Sequence, residues 1–257
     1  MKLEFSWSEY LESLRGAVSA SRSASDWTDG ESWTSAMHKM AYGDDTYAAM
    51  ADKLLDEIAE VSEGIPVREW NPSPMGAYAV VPEFIMGFPT CMRTIAPSGE
   101  LSPVKIVVSS TCSGGIDKST MTKRGVAILA LVRKLQMLRP VELYILVEGN
   151  DEKESDNLFQ LIRLDTKPLS VAHACFALAN VGFARQLTYA HMHHYHGWHG
   201  DWPRSYRHSD YEAIVRRECE MSPEDLWIKS SHMFDSLLAD NPVAWVNQQI
   251  ARYSKTE

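Results

Sequence analysis

The stretch SSTCSGGIDKST, residues 109–120, gathers hydroxyl, thiol, glycine and lysine side chains between an apolar run, Val104 to Val108, and a helical pattern, Val126 to Leu138. Strand, short polar loop and helix in that order can cradle a phosphate on main-chain amides at the helix start. The same loop can offer hydroxyl oxygens to a hard cation. A second candidate is Asp165-Thr166-Lys167-Pro168, which opens another helical pattern. A third is the tract from His191 to His199, which holds five of the nine histidines. His191 and His194 share a face if the helix persists, and with His196 and Asp201 they read as a zinc or nickel site. The other reading of that tract is a solvated, aromatic-rich helix end, where histidine suits the negative end of the dipole. Cys112 stands at an expected helix start, where its thiol would ionise more easily. With His173 and Asp165 it could form a nucleophile pair, or it is a small buried residue beside a turn.

Gly114-Gly115-Ile116-Asp117-Lys118-Ser119-Thr120 resembles the variant phosphate loop of the ParA-type partition ATPases. The resemblance implies nucleotide binding through Lys118 and Ser119. Two positions depart from the pattern: Ser113 stands for the signature lysine, and Asp117 for the glycine that lets the backbone close on phosphate. A carboxylate there repels a polyanion.

Ser109-Ser110-Thr111-Cys112-Ser113 also resembles the first metal-binding element of von Willebrand A-like domains, a carboxylate and two hydroxyls at alternate positions. Thr111 and Ser113 fill the hydroxyl positions, and Ser109 replaces the acid. Thr166, after Asp165, resembles the threonine of the second element. The third element should follow Leu226–Lys229, where Ser230-Ser231-His232 holds no acid. This resemblance spans residues 103–253 and implies an eroded magnesium site with weak divalent affinity. Its contact surface would be the strand-end loops carrying Ser109, Thr111, Ser113, Asp165 and Thr166.

A third resemblance covers most of the chain. The order Trp70-Asn71-Pro72, Gly76-Ala77-Tyr78, Phe84-Ile85-Met86-Gly87, Lys123-Arg124-Gly125, Leu138-Arg139-Pro140, Gly182-Phe183-Ala184-Arg185 and Gly200-Asp201-Trp202-Pro203 is similar to a family of uncharacterised bacteriophage-encoded proteins. It implies a phage origin and a setting in the host cytoplasm or the virion, and no reaction.

The elements that must position these residues follow from periodicity. Residues 3–20 predict a helix with Leu3, Trp7, Leu11 and Leu14 on one face. A second helix starts near Glu31, Gly43 interrupts it, and a third runs from Tyr47 to Val61 with Asp45 as its cap. Residues 64–103 are rich in proline and glycine; Pro72 and Pro74 argue against regular strands, and a short helix is expected at Val81–Met86. Strands are expected at Val104–Val108, Val141–Val147, Leu158–Leu164 and Leu226–Lys229. Helices are expected at 118–138, 169–191 and 211–219, and from Pro242, capped by Asn241, to Tyr253. The link GNDEKESDN, with Glu148, Asp151, Glu152, Glu154 and Asp156 around it, reads as an acidic solvated turn. Strands alternating with helices give an α/β class, a Rossmann-like, von Willebrand A-like sheet flanked by helices. Residues 1–100 read as N-terminal helices and a Pro/Gly-rich wrap, and 101–257 as the α/β domain. Ligands in such sheets sit at the carboxyl ends of the strands, where loops 109–116, 165–170 and 230–232 are expected to meet.

Bulk properties restrict the partners. The chain has 257 residues, 45% hydrophobic and 23% charged, which suits a folded domain rather than disorder. A formal net charge of −9 and scattered basic pairs disfavour nucleic acid. No apolar run reaches the roughly 18–20 residues of a membrane span. Four dispersed cysteines read as free thiols in a reducing compartment. The sequence therefore points to a non-enzymatic phage protein that docks a phage or host protein, or a second copy of itself, without membrane or nucleic acid. No cofactor is expected beyond weak magnesium at the eroded site and zinc at the histidines. The rival class is an enzyme, a degenerate nucleotide hydrolase or a histidine-cluster metal hydrolase.

Overall fold

The computed structural model describes residues 2–21, 23–58, 70–73, 78–95, 102–111, 116–150, 157–197, 210–230 and 236–253. The chain divides into two compact units, one of Met1–Ala59 with Pro103–Arg252, the other of Glu60–Ser102 with Tyr253–Glu257. In chain order the first unit opens with β1 (Lys2–Ser6), α1 (Trp7–Gly16), α2 (Trp33–Tyr42) and α3 (Ala48–Glu57). The second unit holds β2 (Trp70–Ser73), β3 (Tyr78–Ala79), α4 (Val81–Ile85) and β4 (Met92–Ile95). The first then continues through β5 (Val104–Ser109), α5 (Lys118–Gln136), β6 (Val141–Asn150), β7 (Asn157–Leu164), α6 (Val171–Ala179), a π-helical segment (Phe183–Thr188), α7 (Tyr189–His196), α8 (Tyr211–Glu218), β8 (Leu226–Ile228), α9 (Ser236–Asp240) and α10 (Pro242–Tyr253).

The sheet of the first unit has the order β1-β7-β6-β5-β8. β6 and β8 both run parallel to β5, while β7 is antiparallel to β6 and parallel to β1. Parallel neighbours need a crossover long enough for a helix, and α5 supplies it between β5 and β6. This is an α/β fold with a Rossmann-like arrangement. One sheet face buries Val107, Tyr144, Leu146, Phe159, Leu161 and Trp227 beneath Tyr211 and Val215 of α8 and Cys219 just after it. The other buries Ile106, Val108, Ile145 and Ile162, with α1 and α5 against the strands.

Three local expectations change. The helix predicted over 3–20 begins at Trp7, because Lys2–Ser6 pairs in parallel with Phe159–Arg163. Ser6 caps α1 in a reciprocal capping box: its main-chain N–H donates to Glu9 Oε2 at 2.7 Å, and Glu9 N–H donates to Ser6 Oγ at 3.3 Å. The helix predicted over 169–191 is broken after Ala179. Asn180 leaves helical geometry, accepts from Gly182 N–H at 2.7 Å and donates to Asp44 Oδ2 at 2.9 Å. Pro72 does lie in a strand, β2, but an edge strand of the β2-β4-β3 sheet, where a missing donor can be tolerated.

Tight joints fix the helices. Gly43 ends α2 at φ +88°, and a Cβ there would meet Ala172 Cβ at 2.5 Å. Gly125 of α5 faces the backbone of Leu178 and Ala179, leaving no room for a methyl group between α5 and α6. Asn241 caps α10, accepting from Ala244 N–H at 3.0 Å, as its Asn-Pro start predicts.

Candidate functional site

β5 ends in Ser109, wholly buried, and its side chain follows Val107 onto the face under α8 by the two-residue period of a strand. On neighbouring β6 the same period carries Tyr144, Leu146 and then Glu148, which is 1% exposed. Register pairs Ser109 with Leu146, so Ser109 and Glu148 meet on one face at one end of the sheet. The Ser109 hydroxyl donates to Glu148 Oε2, and the Tyr211 hydroxyl of α8 donates to Oε1. Thr111 Oγ1 donates to Oε2 at 3.0 Å and accepts from the Glu148 main-chain N–H at 3.3 Å. A carboxylate out of water needs such donors, because an unpaired buried charge costs several kcal/mol.

β8 pairs in parallel with β5, and the gap between the carboxyl ends of such strands is the usual ligand position in open α/β sheets. Arg124 of α5 lies across it. Its Nη2 donates to Ser109 O at 2.9 Å and to Lys229 O at 2.7 Å. The guanidinium thus ties together the two carbonyl ends that would frame a ligand. Ser110 adds a further tie, its N–H donating to Leu146 O at 2.8 Å.

The start of α5 is filled in the same manner. Asp117 caps it, with Thr120 N–H donating to Oδ1 at 2.8 Å. Hydrogen bonds from the Thr120 main chain and hydroxyl hold the Asp117 carboxyl below its ordinary range. The chain's own carboxylate therefore sits where a phosphate would bind. Lys118 turns to Asp29, and that hydrogen bond raises the lysine pKa. Lys118 and Asp29 border a polar cavity of about 300 Å³ that Glu31, Lys39, Asp44 and Asn180 also line.

The other sequence-predicted residues are not brought to this end. β7 returns antiparallel, so Thr166 lies at the far end of the sheet, donating from Oγ1 to Val141 O at 2.6 Å. Val141 and Glu148 are seven strand steps apart, about 23 Å. Asp165 and Thr166 therefore do not converge with Ser109 and Thr111; residues 112–115 and 231–232 of the other two expected loops lie outside the described residues. Ser113 and Cys112 lie outside the described residues, as do His199, Asp201 and the acids from Asp151 to Asp156. His173 is on α6, its ring 5.5 Å from that of Trp7. His191 is buried on α7, while His194 is exposed and His196 half-buried. Among the described residues no three His, Cys, Asp or Glu side chains group as metal ligands.

Sequence reasoning missed Glu148, Tyr211 and Arg124. Glu148 is not part of a solvated acidic turn; β6 runs on to Asn150 and buries it. Its signal was the continuation of the β6 alternation past Leu146.

The class these observations define is an α/β protein of Rossmann-like arrangement, with Arg124 tying together the ends of two neighbouring strands. Residues 4–248 match the family described as a domain of unknown function (DUF7192), and the chain belongs to that family. No curated protein and no solved structure matches it. No helix among the described residues is long and apolar enough to cross a membrane.

Proposed function

We propose that this chain is a non-enzymatic protein-interaction or assembly module, encoded by a bacteriophage and working in the host cytoplasm or the virion. It uses the strand-end loops of a von Willebrand A-like domain whose metal site is eroded. The observation that carries the reading is Arg124 bridging Ser109 O and Lys229 O across the strand-end crevice. A site built to grip a nucleotide or a dication keeps its polar groups for the ligand; here three hydroxyls donate to the Glu148 carboxylate and the Arg124 guanidinium donates to two main-chain carbonyls. What this end offers outward is a rigid polar rim, with Thr111 half-buried and Lys229 exposed. Rigid, pre-organised rims suit protein docking because little freedom is lost on association. The partner is a phage or host protein, or a second copy of the chain.

The experiment is cross-linking and capture with the tagged full chain in infected host cells, comparing wild type with Thr111→Arg and Lys229→Glu. A partner retained by wild type and lost from both variants supports the reading. An identical set from all three, or turnover of nucleotide by the purified chain, overturns it.

A further inference from the structure

α7 carries a second polar cluster, away from the strand-end crevice. His191 is 2% exposed and packs among aromatic rings, with centroids 4.5 Å from Tyr10, 5.6 Å from Phe5 and 4.7 Å from Tyr195. Its Nε2 lies 2.9 Å from Ser13 Oγ. The Ser13 hydroxyl has already given its one hydrogen to Tyr10 O, at 2.7 Å. Ser13 Oγ must therefore accept, so His191 carries its proton on Nε2. That leaves Nδ1 as a bare lone pair, and Nδ1 is buried without a hydrogen-bond partner. Nε2 of His196 is also buried without one, and so is the Tyr10 hydroxyl. The rings of His191 and His196 lie 6.4 Å apart.

Each buried unsatisfied polar atom costs about 1–3 kcal/mol, so nitrogens left this way on two neighbouring imidazole rings point to something they hold. A neutral imidazole nitrogen is a preferred ligand for borderline metals. We propose that His191 Nδ1 and His196 Nε2 bind a single first-row transition-metal ion of the zinc, nickel or copper type. Water completes its coordination from the half-buried side of His196. Ser13 is the outer residue that fixes the tautomer, as a ligating histidine requires. His194 takes no part. The site is independent of the proposed docking role.

The test uses the untagged full chain, stripped with chelator and titrated calorimetrically with Zn²⁺ and with Ni²⁺. One equivalent binds wild type and His194→Ala alike, and roughly tenfold or more weaker to His196→Ala and His191→Gln. Because His191→Gln can disturb the core, His196→Ala carries the test together with Cu²⁺ electron paramagnetic resonance. The coupling from two imidazole nitrogens in wild type falls to one in His196→Ala. Absence of one-equivalent binding overturns the proposal. So does binding that survives in His196→Ala and disappears in His194→Ala, which would mark surface histidines as an adventitious chelator.

Discussion

The hydroxyl of Ser109, the last residue of its strand, is hydrogen-bonded to the carboxylate of Glu148 on the strand beside it. The acid on the neighbouring strand turns inward to receive the hydroxyl. Thr111 and Tyr211 complete the carboxylate's shell. Replacing Glu148 with Ala leaves three hydroxyls in a buried place without their acceptor. The expected loss is about 3 kcal/mol in urea unfolding, while Tyr211→Phe, which removes one donor, costs about 1–2 kcal/mol. Equal stability of Glu148→Ala and wild type would show that the carboxylate is not satisfied inside.

Arg124 holds the end of β8, a strand of only three residues, Leu226–Ile228. Arg124→Ala should raise amide exchange in β8 and at Ser110 well before exchange in β6 and β7 changes. A lysine ammonium is a mobile point charge and not a nitrogen fixed in a plane, so Arg124→Lys should recover only part of the protection. Uniform exchange across the sheet in Arg124→Ala would contradict its role as the tie.

Gly125 lets α5 lie directly on the backbone of Leu178 and Ala179. Gly125→Ala forces the helices apart despite alanine's better helix propensity. The expected outcome is destabilisation of about 2 kcal/mol, within the usual cost of overpacking. Propensity alone would instead stabilise by up to about 1 kcal/mol, so the sign of the change in melting temperature decides.

Asp44 gives the fold a pH dependence. Burial pushes its carboxyl up, but hydrogen bonds from Thr46 and Asn180 and the charge of Lys39 together hold it below the ordinary value of 3.8. With the folded pKa depressed, the unfolded chain binds the proton first. The stabilisation is present above pH 3.8 and is lost as pH falls through the lower folded value. Asp44→Asn should lower stability at pH 7 and flatten the fall below pH 3.8, read by denaturant titrations at a series of pH values.

Much of this fold was legible because its signals were local. The apolar run into Ser109 and the core spacing over 118–138 are periodic signals, and the Asn241-Pro242 start of the last helix adds a cap. What escaped depended on pairing. Leu3, Trp7, Leu11 and Leu14 keep helical spacing, yet β1 takes the first of them. The capping box between Ser6 and Glu9 was the cue that the helix starts later. The six residues between Asn150 and Asn157 are too few for a crossover, so β7 had to return antiparallel. That return is what sends Asp165 and Thr166 to the far end. Glu148 was hidden among the acids that follow it; only the β6 alternation distinguishes it. Arg124, four residues into the α5 pattern from Thr120, had no sequence mark, because its partners are two carbonyls distant in the chain.

The Glu148 carboxylate, the Arg124 guanidinium and the start of α5 all find partners within the chain. The thermal midpoint of the purified full chain, with magnesium alone and with magnesium-ATP at millimolar concentration, tests whether this leaves room for a ligand. A ligand supplied at a hundredfold over its dissociation constant would stabilise by about 2.7 kcal/mol, several degrees for a chain of this size. No shift is expected with either addition. A rise with magnesium-ATP that vanishes in Lys118→Ala would contradict that expectation.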